Sequence, residues 1–462
     1  MADPTLGSSP CPDGLDLRAG AAFDLQIDDL TRDGRGVGRS CGQVVFVGGA
    51  LPGDRVRARL LHRGRRHWQA EIEALIEPSP ERRRAPCILA DHCGGCSLQP
   101  LQDLAQQRWK QASVEQAIRR IAGIDGPVRP LLASPEGLGY RNRAVIPLER
   151  VDGRIRGGYY RRGSHRIVNM NHCPVLDPRL DALIAPIKKD LAACDWPIDR
   201  HGTAGGGLRH LALRLGKHSG EQLITLISSH GRLPGLDQLA QVWLRRWPAV
   251  VGVALNVQSE PGNVLMGPRT RVVAGRNWLI EHFAGVELQI AADTFFQVHT
   301  EQAERVVPLL LEALDGHRGL LLDAYCGIGT FSLPLAATGW RVHGLELQAA
   351  AVELACVNAA RNNLTQRTSF ETANVGAVLA ERLTGCDALF VDPPRRGLEP
   401  QALEALLSHG PPLILYLSCD AATLARDLGL LVGEAGYRVA WLQPLDFFPN
   451  TTHIETLAVL RR

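Results

Sequence analysis

The chain has 462 residues, 45% of them hydrophobic, which is long enough for about three domains. No window approaches the roughly 18 uninterrupted apolar residues of a membrane span, and the start MADPTLGSSPCPDG lacks the basic and apolar stretches of a signal peptide, so a soluble cytoplasmic protein with reduced thiols is expected. The formal net charge of +3 hides two basic concentrations, nine Arg against four acids in residues 55–84 and eight Arg against two acids in residues 141–166, the distribution expected of a protein that grips a polyanion.

Residues 1–20 read as a flexible tail. From Phe23, short alternating apolar runs (FDLQIDDL, QVVFVGGALPGDRVRARLL, HWQAEIEALIEP) are broken by Gly, Pro and Asp every eight to twelve residues, which predicts a small β-barrel over residues 21–80. In GRGVGR, VFVGGALPGDRV and the basic strand that follows, this stretch resembles a TRAM domain, an OB-like RNA-binding module.

Next comes CILADHCGGCSLQP, with Cys87, Cys93 and Cys96 spaced C-x5-C-x2-C, and then the helix LQDLAQQRWKQASVEQAIRRI. Three thiolates leave a four-coordinate centre incomplete, and Cys173, followed by Pro174, is the best fourth candidate, with His92 an outside option. Four thiolates suit zinc and an iron-sulfur cluster alike. Residues 81–290 otherwise mix helix and plausible antiparallel strands, a central α+β domain without a motif of its own.

From residue 291 to 462 the pattern becomes strand, turn, helix, repeated, as in a doubly wound α/β sheet whose ligands sit beyond the strand ends. LLLDAYCGIGT ends a strand at Asp323, and Gly327 and Gly329 permit a tight turn. Glu346 ends the next strand, 19 residues after Gly327, where an acid reaches ribose hydroxyls. The third glycine of a phosphate cradle is missing, which favours S-adenosylmethionine over a dinucleotide. In VDPPRRGL, Asp392 precedes two prolines that stop the strand, and Arg395 stands where amino-group methyltransferases place a stacking aromatic.

LILYLSCDAATLARDL puts Cys419 at a strand end beside a helix N-terminus, whose partial positive charge lowers a thiol pKa. HIETLAVL puts Glu455 on a strand of apolar neighbours, where an acid needs a partner or a chemical role. These are the parts needed to methylate uracil at C5. A thiolate adds to C6, C5 becomes nucleophilic enough to take a methyl group, and a base removes the C5 proton so that the cysteine can leave.

FFQVHTEQAE, LLLDAYCGIGTFSLPLA, FVDPPRRGL, LSCDAATLARDL and FPNTTHIETLAVL together resemble the RNA (uracil-5-)-methyltransferase family, in the 23S rRNA branch that joins a TRAM domain and an iron-sulfur cluster to a Rossmann-like class I methyltransferase domain. The resemblance implies Cys419 as nucleophile and Glu455 as general base. It implies Gln297, Tyr325, Thr330, Glu346, Asn374 and Asp392 as S-adenosylmethionine-binding residues, and Cys87, Cys93, Cys96 and Cys173 as ligands of a [4Fe-4S] cluster. His299 replaces a usual Asn, Thr330 an Asn of some relatives, and Cys326 reads as packing. The expected substrate is a flippable uridine of 23S rRNA, of the uracil-1939 type, bound by a monomer. The alternatives are another rRNA uridine, a tRNA, or a non-catalytic iron-sulfur assembly factor. Phe295, Phe296 and Phe447 read as core residues with a secondary claim to flank the base.

Overall fold

The computed structural model describes residues 18–198, 207–260, 262, 264–316 and 318–462. Residues 1–17 of the expected tail lie outside the described residues. The chain divides into two compact units: Met1–Trp109 with Tyr160–Ser164 and Phe448–His453, and Lys110–Tyr159 with His165–Phe447 and Ile454–Arg462.

In the first unit, β1 (Ala22–Leu30), β2 (Gly36–Ser40), β3 (Gln43–Gly48), β4 (Arg55–Arg63) and β5 (His67–Glu77) close into a barrel in the order β1-β2-β3-β5-β4. The period-two pattern decides what fills it. RVRARLLHR turns Val56, Ala58 and Leu60 inward to join Phe23, Leu25, Val45, Val47 and Trp68, while its arginines face water. Several arginines of the first basic concentration are paired within the unit. Arg55 pairs with Glu77, Arg59 with Glu71, and Arg82 forms a bidentate bond to the fully buried Asp54 at 2.6 and 2.7 Å. Arg65 and Arg66, exposed between β4 and β5, remain the better placed to meet phosphates.

Helix α1 (Asp103–Ala117) follows. The second unit begins with a six-stranded sheet built from β6 (Arg143–Val151), β7 (Arg154–Gly157), β8 (Leu208–Leu215), β9 (Gln222–Ser228), β10 (Val250–Val257) and β11 (Arg269–Gly275), ordered β11-β10-β9-β8-β6-β7. Helices α2 (Pro178–Ala192) and α3 (Leu236–Arg246) belong to it. β6, β7, β8 and β9 are antiparallel as expected, whereas β9 and β10 run parallel because α3 carries the chain back between them. β12 (Trp278–Phe283) and β13 (Val286–Ala291) form a separate hairpin, followed by α4 (Thr300–Glu304) and α5 (Val306–Leu314).

The last sheet has seven strands: β14 (Leu320–Ala324), β15 (Arg341–Glu346), β16 (Thr368–Thr372), β17 (Ala388–Val391), β18 (Leu413–Ser418), β19 (Arg438–Leu445) and β20 (Glu455–Arg461), in the order β16-β15-β14-β17-β18-β20-β19. Between them run α6 (Ser332–Ala337), α7 (Ala349–Arg361), α8 (Val375–Arg382), α9 (Pro400–His409) and α10 (Ala421–Gly433). The central strands are buried on both faces, so ALFV and LILYLS read as unbroken apolar runs. The expected parallel doubly wound sheet holds for β14 to β18. β20 enters antiparallel to both β18 and β19, and this brings the chain's last strand beside the one that carries Cys419.

Among the described residues no helix is long and apolar enough to cross a membrane.

Candidate active site

Ser418 of β18 pairs with Thr456 of β20, so the next positions outward along the two antiparallel strands are Cys419 and Glu455. The register therefore brings the predicted nucleophile and base to one sheet end. Cys419 is half-buried, whereas Glu455 is only 6% exposed and its Oε2 has no hydrogen-bond partner. Asp392, at the end of β17, is the third member of the group, and Gln297 Nε2 donates to its Oδ2 at 3.3 Å.

Electrostatics reverses one sequence expectation. The Cys419 thiol is not lowered by the helix N-terminus but pushed up to about 12, first by burial, then by Glu455 and Asp392, with Arg395 opposing. The reason is local. Asp420 caps α10, its Oδ1 accepting from Ala422 N and Thr423 N at 3.0 Å, so the free N–H groups that would favour a thiolate are already satisfied by a carboxylate. Glu455 is raised well above the usual carboxyl range by burial and by Asp392, and burial raises Asp392 to about 7. In the resting site, burial thus favours the thiol and the protonated forms of the acids beside it.

Arg395 is the cation that sequence reasoning treated only as a missing aromatic. Its backbone carbonyl accepts from Thr423 Oγ1, the Arg396 carbonyl from Arg426, and Leu398 N donates to the buried Asp427, which also accepts from Tyr416 Oη at 2.7 Å. The VDPPRRGL loop is therefore tied to α10, the helix that follows Cys419. A proline-forced strand exit was legible; its clamp was not, because Asp427 lies 29 residues after Leu398, on the helix that follows the next strand.

The neighbouring strand ends form a cofactor cradle. Tyr325 and Cys326 both donate to Leu345 O, and Tyr325 adopts a left-handed φ of 73°. Gly327, at φ 56° with open space where a Cβ would stand, donates to Glu346 Oε2 at 3.2 Å. Asp323, held by Ser332 Oγ, is raised to about 7 by burial, Asp392 and Glu346 opposing that bond. Asp323 Oδ1 and the Tyr325 hydroxyl are buried without partners. Several acids around orphaned polar atoms repel a phosphate and suit a cationic ligand with ribose hydroxyls, so the residues fit S-adenosylmethionine.

The other predicted cofactor residues divide. Thr330 is buried in the glycine turn. Asn374 is exposed, and its Oδ1 is occupied as the N-cap of α8, accepting from Ala377 N at 3.1 Å. His299 is absorbed into packing: it stacks on Tyr140 with ring centroids 4.7 Å apart, contacts Phe447 O through Nδ1, and burial lowers its pKa. Cys326 packs beside Gly344, and burial drives its thiol pKa up. Phe296 and Phe447 lie in the core, whereas Phe295 is 58% exposed.

The four cysteines expected to ligate a cluster fall in both units. Cys87, Cys93 and Cys96 belong to the first unit and Cys173 to the second, and among the described residues no three His, Cys, Asp or Glu side chains converge as a metal site. The loop is nonetheless built for thiolates. Leu89 N donates to Cys87 Sγ and Gly95 N to Cys93 Sγ, each at 3.4 Å, and Arg162 holds Cys96 O at 3.2 Å.

Comparisons with known proteins fit this arrangement. The family described as tRNA (Uracil-5-)-methyltransferase matches residues 284–462, and the TRAM domain matches residues 17–62. An RNA methyltransferase of Parasynechococcus marenigrum is 51% identical over 449 residues, 96% of each chain, and one of a Nostoc species 45% identical over 445 residues, again 96% of each. Among solved structures, the tRNA (uracil-54, C5)-methyltransferase of Pyrococcus abyssi in complex with S-adenosyl-L-homocysteine is 27% identical, with a TM-score of 0.74 over 95% of this chain and 100% of that one.

Proposed function

The chain belongs to the RNA methyltransferase family that couples a TRAM domain to a uracil-5-methyltransferase domain, and from that membership we propose that it forms 5-methyluridine in 23S rRNA, in the cytoplasm and as a monomer. The observation that carries the reading is the meeting of Cys419 and Glu455 at the facing ends of β18 and β20, with Asp392 and Gln297 beside them.

Gln297, Tyr325, Thr330, Glu346 and Asp392 would hold S-adenosylmethionine, which supplies an electrophilic methyl group. Around it the chain's own groups do the rest. Cys419, once its proton has passed to solvent or a neighbouring carboxylate, adds as a thiolate to uracil C6, C5 takes the methyl group, Glu455 in its ionised form takes the C5 proton, and elimination returns the thiolate. The positive charge of a cofactor held by these residues would favour the ionised forms of Asp323, Asp392, Glu455 and Cys419. The target base must leave its stack to reach Cys419, and the exposed Phe295 offers a stacking surface for it.

Transfer RNA is the second reading, favoured by the substrate named for the Pyrococcus abyssi enzyme. Incubation with radiolabelled S-adenosylmethionine and, in parallel, unmodified 23S rRNA and tRNA separates the two. 5-Methyluridine confined to the rRNA is expected; label in tRNA alone overturns the rRNA assignment, and RNA binding without any 5-methyluridine favours an assembly factor.

Cys87, Cys93, Cys96 and Cys173 would ligate a [4Fe-4S] cluster with a structural or RNA-positioning role. Anaerobic purification should yield a brown protein with about four irons per chain. A colourless protein containing zinc, or no metal, would remove the cluster from the proposal.

A further inference from the structure

Two arginines outside the methyl-transfer site face each other across a β ladder. Arg143 of β6 is directly paired with Arg214 of β8, so their side chains leave the sheet on the same side. Like charges placed directly opposite destabilise a strand pair, and burial makes the cost larger. Arg214 is only 5% exposed. Its Nη2 donates to Thr294 O at 2.5 Å, and its Nε is buried without a partner. Arg143 is half-buried, and its Nη2 reaches only the thioether sulfur of Met266, at 3.6 Å. Among the described residues no carboxylate lies within ion-pair distance of either guanidinium; Asp293 acts on Arg214 only through its field. Burial lowers the pKa of both, and each also feels another arginine, Arg141 for Arg143 and Arg143 for Arg214. Guanidinium stays charged in proteins, so the pair is an uncompensated double cation.

Its position relates it to the substrate. The carbonyl held by Arg214 belongs to Thr294, which precedes the exposed Phe295 and lies three residues before Gln297. Asn142, just before β6, anchors the same segment, donating to Gln297 O and Thr300 Oγ1 at 2.9 Å. A tetrahedral oxyanion can accept from two guanidinium forks at once, which an isolated surface arginine does not offer.

We propose that Arg143 and Arg214 form a seat for one phosphodiester of the target strand, next to the nucleotide that is turned out toward Phe295. The seat rests on the reading that RNA is the substrate. It assigns these residues to holding the strand, and none of the bond-making steps passes through them.

The test measures RNA binding apart from turnover, using fluorescence anisotropy of a short uridine-containing strand titrated with salt. R143Q leaves the Thr294 contact intact, and R214K keeps the charge while removing the fork. Each should weaken binding about tenfold near 0.1 M salt, and R143Q should reduce the salt slope by about 0.7, one phosphate contact. S-adenosylhomocysteine affinity should stay at the wild-type value, and R143Q, which removes one of two opposed cations, should melt no lower than the wild type. A methylphosphonate at the linkage flanking the target uridine should erase the difference between wild type and R143Q. Unchanged RNA affinity and salt slope in R143Q overturn the seat. So does tight binding of inorganic phosphate that RNA fails to displace, since the site would then serve a free anion. Failure of the wild type to methylate any uridine would sink the catalytic reading and leave this binding result standing.

Discussion

Replacing Cys419 by Ala abolishes the covalent adduct with RNA that carries 5-fluorouridine at the target, while RNA and cofactor still bind. Fluorine at C5 cannot leave as a proton does, so an enzyme that adds a thiolate to C6 is trapped after methylation, and denaturing electrophoresis reads the adduct directly. Turnover on ordinary RNA should fall by about three orders of magnitude or more, as when a nucleophile is lost. The residue occupies the half-buried join between β18 and α10, which Ser418 and Asp420 hold through backbone and side-chain bonds independent of the thiol, so the variant should fold. Cys326→Ala serves as the contrast: its thiol is packed against Gly344 and the adduct should persist. Because the Cys419 thiol is raised to about 12, its thiolate fraction climbs roughly tenfold per pH unit through the neutral range. The rate at which Cys419 is alkylated in the cofactor-free protein should therefore rise with pH. An adduct that survives in C419A ends the nucleophile assignment, and a flat pH profile ends the account of a protonated resting thiol.

The strand-end chemistry was legible because it is local. In a parallel α/β sheet an acid, a glycine or a thiol placed just after an apolar run can only emerge at the ligand-bearing edge, so Asp323, Glu346, Asp392 and Cys419 could be assigned to that edge from short motifs. What joins Cys419 to Glu455 is not local. It depends on β20 entering antiparallel beside β18, in a register fixed by burial along the whole strand. The thiol's upward shift was misread for a related reason. A helix N-terminus is visible in sequence, but the opposing carboxylates arrive from other strands, and Asp420 takes up the N–H groups that the dipole argument needs. In the barrel, Arg55 and Arg59 pair across strands with Glu77 and Glu71, acids already counted against the arginines, whereas Asp54, which pairs with Arg82, stands just before that stretch. Conversely, Arg143 and Arg214 drew no separate notice, because only the β6–β8 ladder reveals that two ordinary arginines are opposed.

Glu455→Gln should leave addition and methylation possible and stop the chain at the next step. The amide keeps the shape of the protonated acid that the resting site already favours, but it cannot accept the C5 proton, and without that proton's removal Cys419 cannot leave. A methylated protein–RNA complex should accumulate on ordinary uridine RNA, with about one labelled methyl per chain in a burst and steady-state turnover reduced roughly 10²- to 10⁴-fold. Stability supplies an independent readout. The folded pKa of Glu455 lies well above its unfolded value, so the stability it contributes is fully present at acidic pH and is lost as pH rises through the folded pKa, when a buried carboxylate with an unpartnered Oε2 must ionise. E455Q does not ionise, and Arg395 only partly offsets the wild-type charge. The melting temperature of the variant, measured without ligands, should match the wild type below about pH 4, where the unfolded carboxyl is also protonated, and exceed it increasingly toward pH 9. Unchanged turnover would exclude Glu455 as the base. A stability difference that shrinks with rising pH would instead show that its carboxyl ionises in the folded site more readily than burial allows.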